Sequence, residues 1–246
     1  MCAIASFRAM LPVYCIPQFS NETQYNAKEL YHPFLKEPVP ATMITKNSVL
    51  ITGSNASGKS TFIKSAAMNT ILAQTIHTVC AKEYQSSFFK VMTSMALSDN
   101  LFTNESYYIA EIKSLKRILQ ETEGKIPVLG FVDEVLRGTN TVERIAASSQ
   151  ILATLSRSNA LMFAATHDIE LTYMLEELFE NYHFEEQIKD KEILFDYQLK
   201  TGRATTQNAI ALLRLLGYPE EITKKAKETA TTFLLEGEWI SIRQLL

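Results

Sequence analysis

The run Gly53-Ser54-Asn55-Ala56-Ser57-Gly58-Lys59-Ser60-Thr61 fits the phosphate-cradling pattern G-x-x-x-x-G-K-[ST]. Each fixed residue type has a physical job. Gly53 and Gly58 let the backbone turn so that successive N–H groups converge on phosphate oxygens, where a Cβ would obstruct them. Lys59 supplies a point charge for the β- and γ-phosphates, and the Ser60 hydroxyl can ligate Mg²⁺. Such a loop needs a strand before it and a helix after it. Ser48-Val49-Leu50-Ile51-Thr52 reads as a short buried strand. From Thr61 to Thr75, Phe62, Ile63, Ala66, Ala67, Thr70, Ile71 and Gln74 recur at helical spacing without Pro or Gly.

A second chemical cluster follows. Val128-Leu129-Gly130-Phe131-Val132-Asp133-Glu134 is an apolar strand ending in two carboxylates. After a phosphate loop, such a strand end faces the γ-phosphate. Asp133 is then expected to hold Mg²⁺ together with Ser60, and Glu134 to orient and deprotonate the attacking water. Ala164-Ala165-Thr166-His167-Asp168 closes the next buried strand, which puts His167 beside the γ-phosphate as a sensor of nucleotide state. Asn104-Glu105-Ser106 opens a long helix with capping chemistry. Taken alone it reads as a simple N-cap, although a helix N-terminus also suits an anion.

The elements that position these groups alternate. Pro17 to Asn47 carries Pro33, Pro38 and Pro40 and reads as an extended entry segment with short edge strands. Phe88 to Leu97 is strand-like. Asn104 to Glu121 is helical, with Ile109, Ile112, Leu115, Ile118 and Leu119 as its apolar face. Pro127 to Asp133 is a strand, Val142 to Leu155 a helix and Ala160 to Ala165 a strand. Asp168 to Phe179 reads as helix, then Glu180 to Ile188 and Ile193 to Lys200 as paired β segments. Helices over Thr206 to Leu216 and Glu220 to Leu235 flank Gly217-Tyr218-Pro219. Alternation of this kind predicts an α/β fold with a mostly parallel central sheet covered on both faces.

Composition limits the partners. The 246 residues carry a formal net charge of −3, so no basic face of the kind needed for phosphate-dominated nucleic-acid binding is evident. Lys113, Lys116 and Arg117 read as a solvated helix face. The three cysteines, Cys2, Cys15 and Cys80, do not make a disulfide framework, which points to a reducing, cytoplasmic setting. His77-x-x-Cys80 lacks the second ligand pair that zinc requires. No apolar run is long enough to span a bilayer. Met1 to Ile16, interrupted by Arg8 and Pro12, reads as the end of a preceding helix or module and not as a signal peptide.

Taken together, four ordered motifs resemble the C-terminal ATPase domain of MutS-type DNA mismatch repair proteins. They are the loop at 53–61, Asn104-Glu105-Ser106-Tyr107-Tyr108-Ile109-Ala110-Glu111, Asp133-Glu134-Val135-Leu136-Arg137-Gly138-Thr139-Asn140-Thr141, and Ala164 to Asp168. Tyr31-His32-Pro33, Thr201-Gly202-Arg203-Ala204 and Gly217-Tyr218-Pro219 extend the likeness over residues 28 to 230. The resemblance implies an ABC-type P-loop ATPase that works as a homodimer, with ATP and Mg²⁺ at the interface. Gly53, Ser54, Asn55, Ala56, Ser57, Gly58, Lys59, Ser60 and Thr61 would hold the phosphates, and Lys59, Glu134 and His167 would serve hydrolysis. Ser106 would reach in trans to the partner's γ-phosphate, and Asn140 would face the partner's site. Tyr31 to Val39 would flank the adenine, with Val39 standing where a stacking aromatic is expected. The implied domains are the end of a preceding module at 1–27, the ATPase domain at 28–205 and a C-terminal helical dimerisation element at 206–246.

The departures are informative too. The family's usual loop is Gly-Pro-Asn-Met-Gly-Gly-Lys-Ser, and its Ser-Thr-Phe signature is here Ser106-Tyr107-Tyr108. The chain thus resembles a divergent branch, and DNA contact is expected through upstream mismatch-reading domains that it lacks. Two alternatives stay open. One is a transporter or chromosome-structure ATPase of the wider ABC class, although no Leu-Ser-Gly-Gly-Gln-like signature is present. The other is a slow-turnover dimerisation module.

Overall fold

The computed structural model describes residues 2–95, 107–189, 192–204, 209–239 and 241–242. In chain order the elements are α1 (Cys2–Met10), β1 (Gln18–Ser20), β2 (Tyr25–Leu30), β3 (Ala41–Thr45), β4 (Ser48–Thr52), α2 (Lys59–Ile76), β5 (Glu83–Ser87), β6 (Lys90–Ser94), α3 (Tyr107–Glu121), β7 (Val128–Asp133), α4 (Thr141–Ser156) and β8 (Ala160–Ala165). They continue with α5 (Ile169–Met174), β9 (Phe179–His183), β10 (Glu186–Lys189), β11 (Glu192–Phe195), β12 (Lys200–Thr201), α6 (Ala209–Leu215) and α7 (Glu220–Glu236).

The buried strands assemble into a six-stranded sheet in the order β12-β9-β4-β8-β7-β6. Every pairing in it is parallel except β12 with β9. Strand periodicity divides the core between the two faces. Val49, Ile51, Leu129, Phe131, Leu161 and Phe163 pack against α2 residues Ile63 and Ala66 and against Tyr25 and Tyr84. The intervening Leu50, Val128, Val132, Met162 and Ala164 pack against Leu115 and Ile118 of α3 and Leu152 and Leu155 of α4. A sheet covered on both faces explains why β4 is buried at every residue.

The expected Pro-rich entry segment proves more structured than its sequence suggests. β1, β2 and β3 join β5 in a second, four-stranded sheet in the order β1-β5-β2-β3. Edge-to-face aromatic contacts link it to the main core, with Tyr25 and Phe163 ring centres 5.0 Å apart. Arg8 ties α1 to the end of α2 by donating to the Thr78 hydroxyl at 2.9 Å and the His77 carbonyl at 3.0 Å.

Two expectations need correction. The helix expected over Asp168 to Phe179 is only α5, because the chain turns after Met174 and Phe179 already pairs with Ser48 as the start of β9. The apolar face expected on the long helix is rotated. Its buried stripe is Glu111, Ser114, Leu115 and Ile118, while Ile109, Ile112 and Leu119 are exposed. Periodicity located the helix and, in Leu115 and Ile118, part of its buried face, but not the rest, since a buried carboxylate occupies a position where hydrophobicity would place none.

The chain forms two compact units: Met1–Glu185 with Tyr197–Ala204, and Glu186–Asp196 with Thr205–Leu246. The second holds the antiparallel β10–β11 hairpin and the helices α6 and α7. Phe233 of α7 stacks on Trp239 with ring centres 4.1 Å apart. Among the described residues no helix is long and apolar enough to cross a membrane.

Candidate functional site

Register brings the three chemical segments to one level. Ala165 at the end of β8 is opposite both Ile51 of β4 and Asp133 of β7. Hydrogen bonds carry this alignment past the strand ends: Thr166 N–H donates to the Ile51 carbonyl at 3.0 Å and Glu134 N–H to the Ala165 carbonyl at 3.0 Å. The loop at 53–58, the acid pair and His167 therefore leave the same carboxyl edge of a parallel sheet, where ligands of open α/β sheets bind.

The loop has the backbone that its glycines allow. Gly53 has φ +145° and Gly58 has φ +115°, values that side chains rarely tolerate. A Cβ on Gly53 would stand 2.5 Å from the Phe184 carbonyl oxygen. That carbonyl cannot retreat, because Phe184 N–H is tied to the Thr52 carbonyl at 2.9 Å. Gly53→Ala is therefore expected to destabilise the fold by about 1–3 kcal/mol and to weaken nucleotide binding. Urea denaturation with and without nucleotide checks both.

Lys59 opens α2 and is buried, its Nζ donating to the carbonyls of Gly53 and Ser54 at 2.7 Å each. Ser60 follows it and lines a cavity beside the loop. The Ser57 hydroxyl is buried with no partner among the described residues, which leaves it available to a phosphate oxygen.

At the acid pair, Glu134 takes φ +61°, turning its carboxylate away from the strand line. His167 Nε2 lies 3.1 Å from its Oε1, and Arg137 lies 3.0 Å from its Oε2. The Arg137 contact is exposed and so contributes little. Asp133 Oδ1 is buried and has no hydrogen-bond partner among the described residues. A divalent cation would satisfy it, since Mg²⁺ takes one or two carboxylates and completes its shell with waters and phosphates. Among the described residues no group of three or more His, Cys, Asp or Glu could hold a metal. Behind this pair, Arg144 grips Asp168 with Nε at 2.9 Å and a second nitrogen at 2.5 Å, pinning α4 to the segment after His167.

Beside the loop lies a cavity of about 500 Å³. One wall is the segment expected to flank a base, with Tyr31, Leu35 and Val39; Asn55 to Thr61 form the floor, and Glu134 reaches in. Phe184 and Tyr197 close it, and neither was anticipated. Tyr197 Cδ1 is 3.4 Å from where a Cβ on Gly58 would be. Both residues supply aromatic surface of the kind a purine stacks on.

The structure thus brings together Asn55 to Thr61, Glu134 and Val39 in one cavity, with His167 and Arg137 adjoining through Glu134; Gly53 and Ser54 touch Lys59 through their carbonyls. Asn140 has a local job: its side chain caps α4 by accepting from Val142 N–H at 2.9 Å. Ser106, with Asn104 and Glu105, lies outside the described residues.

Comparison with known proteins adds the family. Residues 49–234, well over half of the chain, match the model described as MutS domain V. The chain is 30% identical over 220 residues to the DNA mismatch repair protein MutS of Thermus aquaticus, covering 87% of this chain and 26% of that protein. It is 28% identical over 237 residues to the protein of the same name from Lactobacillus delbrueckii subsp. bulgaricus, covering 91% and 28%. Against human MutS protein homolog 4 it is 32% identical over 237 residues, covering 89% and 25%. The chain therefore spans about a quarter of the length of these relatives.

Proposed function

The chain belongs to the MutS family through its domain V, a P-loop ATPase domain, and from that premise we propose that it binds and hydrolyses ATP as the switch of a MutS-like protein in DNA mismatch repair or recombination. The observation that carries this reading is the levelled strand edge, where the phosphate loop with buried Lys59, Asp133, whose Oδ1 has no hydrogen-bond partner among the described residues, and the His167-bound Glu134 leave the sheet at one level. We assign residues 28–205 to the ATPase domain and 206–246 to a C-terminal helical element that supports dimerisation.

In this reading the loop amides and the Ser57 hydroxyl bind the phosphates, and Lys59 exchanges its loop carbonyls for β- and γ-phosphate oxygens. Mg²⁺, held by Ser60 and Asp133, would supply charge neutralisation there. Glu134 accepts a proton from a water aligned on the γ-phosphorus, as the new P–O bond forms and the bond to the β–γ bridging oxygen breaks. His167 holds the Glu134 carboxylate through Oε1 and keeps it oriented. The base sits among Tyr31, Val39, Phe184 and Tyr197.

The finer reading is a composite site in a symmetric dimer. Ser106 of one copy contacts the γ-phosphate held by the other, and Asn140 faces the same junction. ATP thereby favours the closed pair and hydrolysis releases it. DNA contact is assigned to the parts of the longer relatives outside the matched region. Mixing Lys59→Ala with Ser106→Ala subunits tests the composite site. Each variant alone is expected to be inactive, while an equimolar mixture recovers about a quarter of the wild-type phosphate release, because half the random pairs hold one intact site of two. A mixture as inactive as its parts would overturn the assignment in trans.

A further inference from the structure

A carboxylate on the buried face of a helix is expensive unless its oxygens are used. Glu111 is such a group, 2% exposed, on the stripe that continues with Ser114, Leu115 and Ile118. A leucine at that position would complete the stripe at lower cost. Glu111 instead reaches the loop that follows the acid pair. Its Oε1 accepts the Leu136 N–H at 2.5 Å, and its Oε2 is buried without a partner among the described residues. The Arg137 N–H faces the same carboxyl group.

That loop is bent in an unusual way. Glu134, Leu136 and Gly138 have φ of +61°, +55° and +103°. Only the last is a glycine, so the two side-chain-bearing residues hold a conformation that costs about 1–3 kcal/mol each and persists only where the surroundings enforce it. Left-handed residues of this kind turn successive N–H groups toward one point, forming a nest that binds an anion. Here the chain fills the nest from within.

We infer that Glu111 is the positioning residue of the site: by occupying the nest at Leu136 and Arg137 it clamps α3 to the acid loop and so fixes where Glu134 stands. The tie is short. Glu134 is only two residues before Leu136, so the backbone held by Glu111 is the backbone that leads directly out of Glu134. α3 begins at Tyr107, and Glu111 lies about one turn into it. A displacement at the start of α3 is therefore transmitted to the general base. Resting on the ATPase reading above, this makes hydrolysis at a chain's own site depend on how α3 is held. Burial raises the Glu111 carboxyl to about 7, with the two backbone donors opposing and the Glu134 charge adding to the rise. Tyr107, one turn earlier, also feels the Glu111 charge. A group held at such cost fits a positional role better than a stabilising one.

The test compares wild type, Glu111→Gln and Glu111→Ala by steady-state ATP turnover and by amide hydrogen exchange at Leu136 and Arg137. The alanine variant is expected to lose about 10²-fold in kcat, the consequence of a misplacement of about 1 Å, with KM for ATP unchanged. The glutamine variant, which keeps an acceptor for Leu136 N–H, is expected to recover most of that loss. The Leu136 amide should exchange about 10-fold faster in the alanine variant. Unchanged kcat and unchanged exchange in the alanine variant, or a loss confined to KM, would overturn the inference. Should the alanine variant fail to fold, Glu111→Leu, which completes the apolar stripe but offers Leu136 N–H no acceptor, takes its place, and wild-type kcat and exchange in it overturn the inference. Because the exchange measurement needs no turnover, it judges Glu111 even if the wild-type chain proves unable to hydrolyse ATP.

Discussion

Glu134→Gln is expected to slow ATP hydrolysis by about 10²–10⁴-fold, the usual contribution of a positioned general base, while ATP still binds. The substitution is nearly isosteric, so the cavity, in which Glu134 is one wall among many, keeps its shape. Glutamine can still meet His167 through its amide oxygen, preserving the 3.1 Å contact that orients the side chain. It cannot accept a proton from water. The loop geometry is set by the backbone, through Glu134 N–H bonded to the Ala165 carbonyl, and that bond is unaffected. Turnover should therefore fall with little change in ATP affinity or thermal stability. Phosphate release under saturating ATP, with affinity measured separately, separates the two effects.

Lys59→Ala is expected to act on binding. Charge-assisted hydrogen bonds are worth about 1.5–3 kcal/mol each, so losing the ammonium should weaken ATP binding by at least about 10-fold. Lys59 is buried and donates to both Gly53 and Ser54 carbonyls, so its removal also frees the loop it would hold ready. In wild type, ATP at about 100 times its Kd should stabilise the fold by about 2.7 kcal/mol. In the variant, the same ATP concentration should shift the unfolding temperature far less. Equal shifts in the two proteins would show that the ligand does not use this lysine.

The contrast between local and long-range information explains what was legible in the sequence. The phosphate loop, its strand and its helix are contiguous, and each is specified by residues within a few positions. The same is true of Asp133 and Glu134 at the end of an apolar run, and of His167 at the end of the next. A parallel arrangement then requires their strand ends to coincide, as the shared register at Ala165 shows. Phe184 and Tyr197 were not legible, because they reach the loop only through the pairing of β9 with β4 and the return of the chain after β11. Neither belongs to a motif. The four-stranded sheet was obscured for a similar reason, since β5 joins β1 and β2 across a long stretch of chain. Glu111 was hidden in a different way. Hydrophobic period places Ile109, Ile112 and Leu119 on the inner face, yet all three are exposed. The position that departs from the pattern is the one that binds the acid loop, in keeping with the tendency of local rules to fail at functional sites.

The central claim is that this strand edge hydrolyses ATP with Glu134 as the base. Single-turnover hydrolysis of Mg²⁺-ATP by wild type and Glu134→Gln, followed side by side as phosphate formed per ATP bound, tests it most directly. The account predicts full conversion of bound ATP by wild type and bound but nearly unreacted ATP on the variant. Conversion at equal rates by the two proteins, or wild-type protein that binds ATP and never cleaves it, would contradict it.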